Sequence, residues 1–157
     1  MSPSVIKNMN NSGRKGIAVA GSILVDKINE IKAYPKCGEL AQISRIDKAV
    51  GGCVPNVAID LKKIDPTLPV TAIGKVGDDE NGAYVTDVLR KNGVDVNHVV
   101  SDTSAGTSLT EVMSIANGQR TFFCYPGASA GFGFKDIDFE NLKAKILHLG
   151  YFLLLEK

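Results

Sequence analysis

The feature that most constrains this chain is the alternation of short apolar strands with amphipathic helices. Residues 16–21, Gly-Ile-Ala-Val-Ala-Gly, carry no polar side chain, so the strand they predict is buried on both faces. After Gly51-Gly52 the period changes. Val54, Val57, Ala58, Leu61 and Ile64 fall at i, i+3, i+4, i+7 and i+10, one face of a helix, and Asp65-Pro66 ends it. Residues 70–76 predict a second buried strand. Residues 78–92 predict a second helix, with an acidic first turn, an apolar stripe of Val85, Val88 and Leu89, and a stop at Asn92-Gly93. A short strand over 98–100, a helix over 136–145 and a last buried strand over 146–155 complete the series. Buried strands separated by helices make a parallel sheet, an α/β fold.

A second kind of strand interrupts this order. Residues 25–34 alternate loosely, with Val25, Ile28 and Ile31 as the apolar members, and residues 40–50 do so around Ile43 and Ile46. Residues 107–116 and 119–125 flank Asn117-Gly118, a strong hairpin signal. Strands with one wet face belong in a separate small sheet, drawn from segments of about 25–50 and 105–125. Clefts of α/β sheets open at the carboxyl ends of the parallel strands, and a projecting sheet is placed to cover one. Residues 126–133 read as a loop. Residues 1–15 are polar and predict a flexible arm, leaving 16–157 as part of one domain.

Composition narrows the partners. Eighteen basic and seventeen acidic residues give a net charge of +1 with no polybasic block, which excludes an electrostatic grip on nucleic acid or an anionic membrane. No apolar run approaches the roughly 20 residues of a membrane helix. The N-terminus lacks the apolar stretch of a signal peptide, so the expected compartment is the cytoplasm. Cys37, Cys53 and Cys124 are sparse and odd in number, the pattern of free thiols. His98 and His148 lack metal-ligand spacing and read as packing residues.

Gly51-Gly52-Cys53-Val54-Pro55-Asn56 is the sharpest local motif. Two glycines at a helix start let the backbone approach a ligand, the free N–H groups of the first turn face it, and Asn56 offers a donor and an acceptor suited to a hydroxyl. The plain alternative is a tight turn into a helix. Asp26 follows the first buried strand, where a carboxylate can accept bonds from two hydroxyls; the alternative is a solvated surface aspartate. Gly74-Lys75-Val76-Gly77-Asp78-Asp79 lacks a Ser or Thr after Lys75, so the phosphate-loop pattern fails. There Gly77 ends a strand and Asp78 or Asp79 caps a helix. Glu111 sits on the first hairpin strand, on the solvent side or, alternatively, towards the cleft. Cys53 reads as a small buried thiol.

Taken in order, these segments resemble the ribokinase-like, or PfkB, family of carbohydrate kinases. Gly21-Ser22-Ile23-Leu24-Val25-Asp26 is similar to its first strand and sugar-binding aspartate. Gly51-Gly52-Cys53-Val54-Pro55-Asn56-Val57-Ala58 is similar to its signature Gly-Gly-x-x-x-Asn-x-Ala, and residues 74–82 to Gly-x-Val-Gly-x-Asp-x-x-Gly. Gly93-Val94-Asp95-Val96 and the Gly118–Gly127 segment also fit.

The resemblance implies a three-layer α/β/α core with a parallel sheet and a small β-sheet lid, cut within the central sheet. It implies transfer of the ATP γ-phosphate, with Mg2+, to an alcohol group of a sugar or nucleoside, and a possible homodimer through the lid. Asp26, Gly52 and Asn56 would hold acceptor hydroxyls, Gly51 and Cys53 would line the pocket, and Glu156 would touch the sugar from a central strand. Leu24 stands where ribokinases carry a ribose-binding asparagine, which disfavours ribose. The second signature, Asp-Thr-x-Gly-Ala-Gly-Asp, is nowhere in the sequence, and the ATP-binding elements are missing with it. The expectation is the sugar-binding N-terminal half of a kinase, with no catalytic residue of its own and inactive alone. The alternatives are a non-catalytic sugar-binding module and a poorly folding remnant.

Overall fold

The computed structural model describes residues 13–151. Eight strands and two α-helices form two sheets: β1 (Ile17–Ala20), β2 (Leu24–Ile31), β3 (Ile43–Gly51), α1 (Cys53–Ile64), β4 (Val70–Gly77), α2 (Glu80–Lys91), β5 (Asp95–Asp102), β6 (Ser108–Ser114), β7 (Arg120–Tyr125) and β8 (Ile146–Leu149). The main sheet has the order β5-β4-β1-β8 and is parallel throughout. The second sheet, order β3-β2-β6-β7, is the predicted lid; β2 runs parallel to β6, and both outer strands are antiparallel to their neighbours.

Burial explains the main sheet. Val19, Val70, Ala72 and Val76 face α1 and α2, whose Val54, Ala58, Val85 and Leu89 are fully buried against them. Ala18, Ala20 and Ile73 face the other way, into a second cluster with Phe132, Ile137, Leu142 and Ala144. Fully burying side chains of this size contributes roughly 1.5–3 kcal/mol each, so the two clusters fix the sheet between its layers. The second layer is not a long helix. Residues 127–145 cover it with two 3-10 turns, Gly127–Gly131 and Phe134–Asp136, and extended chain.

Three sequence expectations are corrected here. Residues 136–145 form no α-helix. The residues this segment buries, Ile137, Leu142 and Ala144, are spaced for a meandering chain rather than a helical face, and Asp138 spends its carboxylate on the N–H of Asn141 at 3.1 Å and its side-chain amide at 2.8 Å. β8 is not buried throughout: Ile146 is 54% exposed and His148 is exposed, because β8 is the edge strand among the described residues. β5 is longer than predicted, since pairing along β4 recruits the polar residues at both its ends. Residues 1–12 and 152–157, which include most of the expected arm, the end of the last strand and Glu156, lie outside the described residues.

Candidate functional site

β1 lies between β4 and β8, and the chain reaches these neighbours over opposite faces of the sheet, through α1 to β4 and through residues 127–145 to β8. That arrangement leaves a crevice at the carboxyl end of β1, the place where open α/β sheets bind ligands. Ser22 stands there and fastens α1. Its hydroxyl accepts the N–H of Cys53 at 3.3 Å and its carbonyl accepts the N–H of Val54 at 3.1 Å. Pro55 has no N–H, and Asn56 N–H reaches the Gly52 carbonyl at 3.4 Å. The expectation of free first-turn N–H groups is therefore corrected: Ser22 and Gly52 consume the donors that a bare helix start would present.

The two glycines are needed for different reasons. Gly52 has φ 90°, in the left-handed region, and a side chain there would strike the Ser22 carbonyl at 2.5 Å. Gly51 closes β3, paired with Leu24 of β2. A Cβ on Gly51 would fall on Oδ2 of Asp26 and lie 2.6 Å from Leu24 Cδ1. The absence of a side chain at Gly51 is what lets the Asp26 carboxylate pack directly over that backbone.

Asp26 lies in a transverse row of the lid sheet. Registers place Ala49, Asp26, Thr110 and Cys124 abreast on one face of β3, β2, β6 and β7. Partial burial raises the Asp26 pKa above the ordinary carboxylate value, and a hydrogen bond with the Thr110 hydroxyl acts against that rise. Among the described residues no ion pair reaches Asp26. Glu111 lies on the opposite face of the sheet, half-buried, accepting from Asn29 Nδ2 at 2.6 Å with Lys27 at 3.5 Å.

Beside this row a hollow of about 360 Å3 opens between the lid and the end of β1. Its wall is mainly apolar, built by Leu24, Tyr125, Pro126, Ala130 and Tyr151, with Ser22 and Thr110 as polar members. A larger groove of about 590 Å3 is formed within residues 32–44, remote from the carboxyl end of β1. The structure thus brings Asp26, Gly51 and Gly52 together around β2 and Ser22. Asn56 is exposed on the first turn of α1. Cys53 is buried, and its Sγ occupies the space that side chains at Gly21 and Gly150 would take. Glu156 is outside the described residues. Sequence reasoning did not single out Thr110, Tyr125 or Tyr151. Strand alternation placed Thr110 on a face, but only the parallel pairing of β6 with β2 sets it beside Asp26.

A nucleoside triphosphate would need free donors at one of the two glycine-bearing loops. After β4, Gly77 N–H donates to the Thr107 hydroxyl at 2.9 Å and Gly82 N–H to Asp79 at 2.8 Å; Lys75 Nζ is held by Asp136 at 2.9 Å and by the Gly131 carbonyl at 3.0 Å. With the donors of α1 also engaged, neither loop fits a triphosphate. Among the described residues no three His, Cys, Asp or Glu side chains cluster as metal ligands.

Comparison with known proteins gives a consistent result. The family model described as pfkB family carbohydrate kinase matches residues 15–156. Fructokinase-1 of Zea mays is 33% identical over 142 residues, 88% of this chain and 42% of the relative. Probable fructokinase-5 of Arabidopsis thaliana is 35% identical over 133 residues, 83% of this chain and 39% of the relative. The crystal structure of ribokinase from Thermotoga maritima superposes with a TM-score of 0.77 at 22% identity, covering 85% of this chain and 44% of that one. The ribokinase of Arabidopsis thaliana complexed with ribose and ATP gives a TM-score of 0.71 at 24% identity, covering 87% and 45%. The chain spans about two-fifths of the length of the curated relatives it matches.

Proposed function

This chain belongs to the pfkB family of carbohydrate kinases, and from that premise we propose that it forms the acceptor-binding part of an ATP-dependent kinase that phosphorylates an alcohol group of a sugar. Asp26 accepts hydrogen bonds from acceptor hydroxyls, Gly51 and Gly52 let the acceptor approach the backbone, and Asn56 adds a donor and an acceptor from the first turn of α1. Cys53 serves by packing beneath this turn. Glu156 is proposed to reach the acceptor on family resemblance alone. The observation that carries the reading is the packing of Asp26 over a side-chain-free Gly51, next to Leu24 and Thr110, which line the hollow at the end of β1.

The relatives named fructokinase make D-fructose the first acceptor to test, and Leu24 in place of a ribose-binding asparagine points the same way. The lid closes over the acceptor and excludes water, which favours transfer to the sugar over hydrolysis. A homodimer through the lid is part of the proposal; it is supported by the exposure of Phe122 and Phe123 on β7 and Ile46 on β3.

We propose further that the 157-residue chain does not complete the transfer by itself. Phosphoryl transfer depends on positioning and on charge stabilisation around the transferred group, and both glycine-bearing loops have their N–H donors engaged within the protein. Calorimetric titration of the chain with D-fructose and D-ribose tests the acceptor site. Saturable binding that is abolished by Asp26→Asn is the expected result; binding unaffected by that substitution would sink the assignment. Steady ATP-dependent phosphorylation of either sugar by the purified chain would refute the claim of inactivity.

A further inference from the structure

We propose that Ser129 is a positioning residue of the acceptor site: its hydroxyl fixes the backbone of Ile23, and through Ile23 it holds Ser22 beneath the first turn of α1 and Asp26 over Gly51. This inference rests on the acceptor-site reading above and adds to it a residue 106 positions along the chain from the one it holds.

Ile23 stands where the chain crosses from the main sheet to the lid. β1 ends at Ala20 and β2 begins at Leu24, so Ile23 belongs to neither strand. It is fully buried, and a buried peptide N–H and carbonyl each need a partner. The Ser129 hydroxyl serves both. It accepts the Ile23 N–H at 3.1 Å and donates to the Ile23 carbonyl at 2.9 Å. Within a sheet a neighbouring strand makes this double exchange. Here one oxygen makes it, because a hydroxyl carries a hydrogen and two lone pairs.

Ser129 is itself buried and held. Its N–H donates to the Ser108 hydroxyl at 3.1 Å, and that hydroxyl donates to the Pro126 carbonyl at 2.5 Å. Ser108 opens β6 and stands opposite Leu24, the first residue of β2. The Ser129 carbonyl accepts the N–H of Phe132, a core residue beneath the main sheet, at 3.2 Å. One serine therefore joins the entries of two lid strands to the core, and Ser22, Leu24, Ser108 and Ser129 all line the hollow at the end of β1.

The two parts of the acceptor site lie on either side of Ile23. Before it, Ser22 holds the N–H groups of Cys53 and Val54. After it, Leu24 pairs with Gly51, and Asp26 packs over that glycine. The Ile23 side chain rests on Gly74, where a Cβ would lie 2.7 Å from its Cδ1. An apolar contact of that kind has no direction; the two hydrogen bonds set the direction in which the chain leaves the crossing. Without them Ser22 and Asp26 can shift relative to each other, and a bound polyol must then order the site as well as occupy it.

Three substitutions in the full 157-residue chain separate this role from stability alone. Ser129→Ala removes the hydroxyl and Ser129→Thr keeps it. Leu142→Ala, in the core cluster away from the crossing, is the destabilised control. Amide hydrogen exchange, which needs no ligand, is read at Ile23, Cys53 and Val54 and compared with Leu89 in the interior of α2. Calorimetry then gives the dissociation constants for D-fructose and D-ribose well below each melting temperature.

Ser129→Ala is expected to speed exchange at Ile23, Cys53 and Val54 at least about tenfold more than at Leu89, and to weaken sugar binding roughly tenfold. Ser129→Thr should restore both, and Leu142→Ala should leave the sugar constants as in the parent. Ser129→Cys, a weak donor of similar size, replaces Ala if Ala does not fold, with the same expectation. Exchange that rises equally at all four amides, or sugar constants unchanged in Ser129→Ala, overturns the inference. Failure of the acceptor reading looks different: the parent would bind neither sugar, or Asp26→Asn would bind as the parent does, while exchange at Cys53 and Val54 still decides whether Ser129 holds the crossing.

Discussion

Asp79 binds Thr107 twice, accepting its N–H at 2.8 Å and its hydroxyl at 2.6 Å. The same carboxylate caps α2 through Gly82 N–H, and the Thr107 hydroxyl accepts from Gly77 N–H at 2.9 Å. One acidic side chain therefore ties three places together: the end of β4, the start of α2 and the start of β6. Since β6 carries Thr110 three residues beyond Thr107, the main sheet and the acceptor face of the lid share an anchor.

Removing that anchor has a calculable cost. Asp79→Ala loses a helix cap, worth about 1 kcal/mol, and leaves the buried Thr107 hydroxyl and N–H short of an acceptor, about 1–3 kcal/mol more. A total loss of roughly 2–4 kcal/mol is expected in urea unfolding, with faster hydrogen exchange at Gly77, Gly82 and Thr107. A loss below about 0.5 kcal/mol, the size of an ordinary surface substitution, would show that the lid is held elsewhere.

Lys75 and Asp136 form a pair with side chains only 14% and 16% exposed, at 2.9 Å. Breaking such a pair from one side leaves an uncompensated charge, so Asp136→Ala should cost about 3–5 kcal/mol, while the double variant Lys75→Met with Asp136→Leu should recover much of it. Urea unfolding of the two variants checks the order; equal losses would contradict it.

The same pair sets an acid limit on stability. Burial raises the Asp136 pKa, and the Lys75 bond, the Gly133 N–H and the charges of Lys75 and Lys135 outweigh it, so the folded value lies below the unfolded 3.8. A carboxylate depressed in the folded state contributes stability that is complete above the unfolded pKa and is lost as pH falls through the folded one. The melting temperature should therefore drop from about pH 5 towards about pH 2, and drop less in the double variant that carries Lys75→Met and Asp136→Leu. Parallel curves for the two proteins would remove Asp136 as a cause.

Gly51 supplies a test with a sharper signature than loss of folding. A methyl group there would occupy the place of Asp26 Oδ2 and press on Leu24, so Gly51→Ala must turn the carboxylate away. Sugar binding should fall at least roughly tenfold, with unfolding changed by the roughly 1–3 kcal/mol of an overpacked contact. Unchanged binding in a folded Gly51→Ala variant would show that the seat of the Asp26 carboxylate over Gly51 does not matter to the acceptor.

What could be read from the sequence follows from which forces are local. The helix over α1 was legible because its apolar stripe and the Asp65-Pro66 stop lie within one segment, and the hairpin because Asn117-Gly118 sets its own turn. The separation into two sheets was legible because fully apolar and half-wet strands differ in composition. The partner of Asp26 was not, since strand neighbours depend on contacts between residues far apart in the chain, and nothing in residues 107–116 marks them for β2 rather than β3. The spent donors of α1 were hidden for a similar reason: Ser22 is a small polar residue in a loop, and its two bonds to residues 53 and 54 exist only after the chain has closed on itself. The helix wrongly expected over 136–145 shows the converse error, where side-chain bonds of Asp138 replaced the backbone pattern.

Asp26 yields the last prediction, in which binding and stability move in opposite directions. Burial raises its folded pKa above 3.8, with the Thr110 bond offsetting part of the rise and no cation paired with it among the described residues. A carboxyl with a raised folded pKa favours folding in its protonated form: the penalty is absent well below the unfolded pKa and fully expressed once pH exceeds the folded value. At about pH 7 the protein therefore carries the cost of an ionised, half-buried carboxylate. Asp26→Asn removes the charge while keeping an oxygen for Thr110. This variant should melt at a higher temperature than the parent at about pH 7 and at the same temperature near about pH 3, while losing sugar binding. A site selected for packing would show the reverse. An Asn variant less stable than the parent at neutral pH would mean that Asp26 holds the lid together, and that its burial serves the fold rather than a ligand.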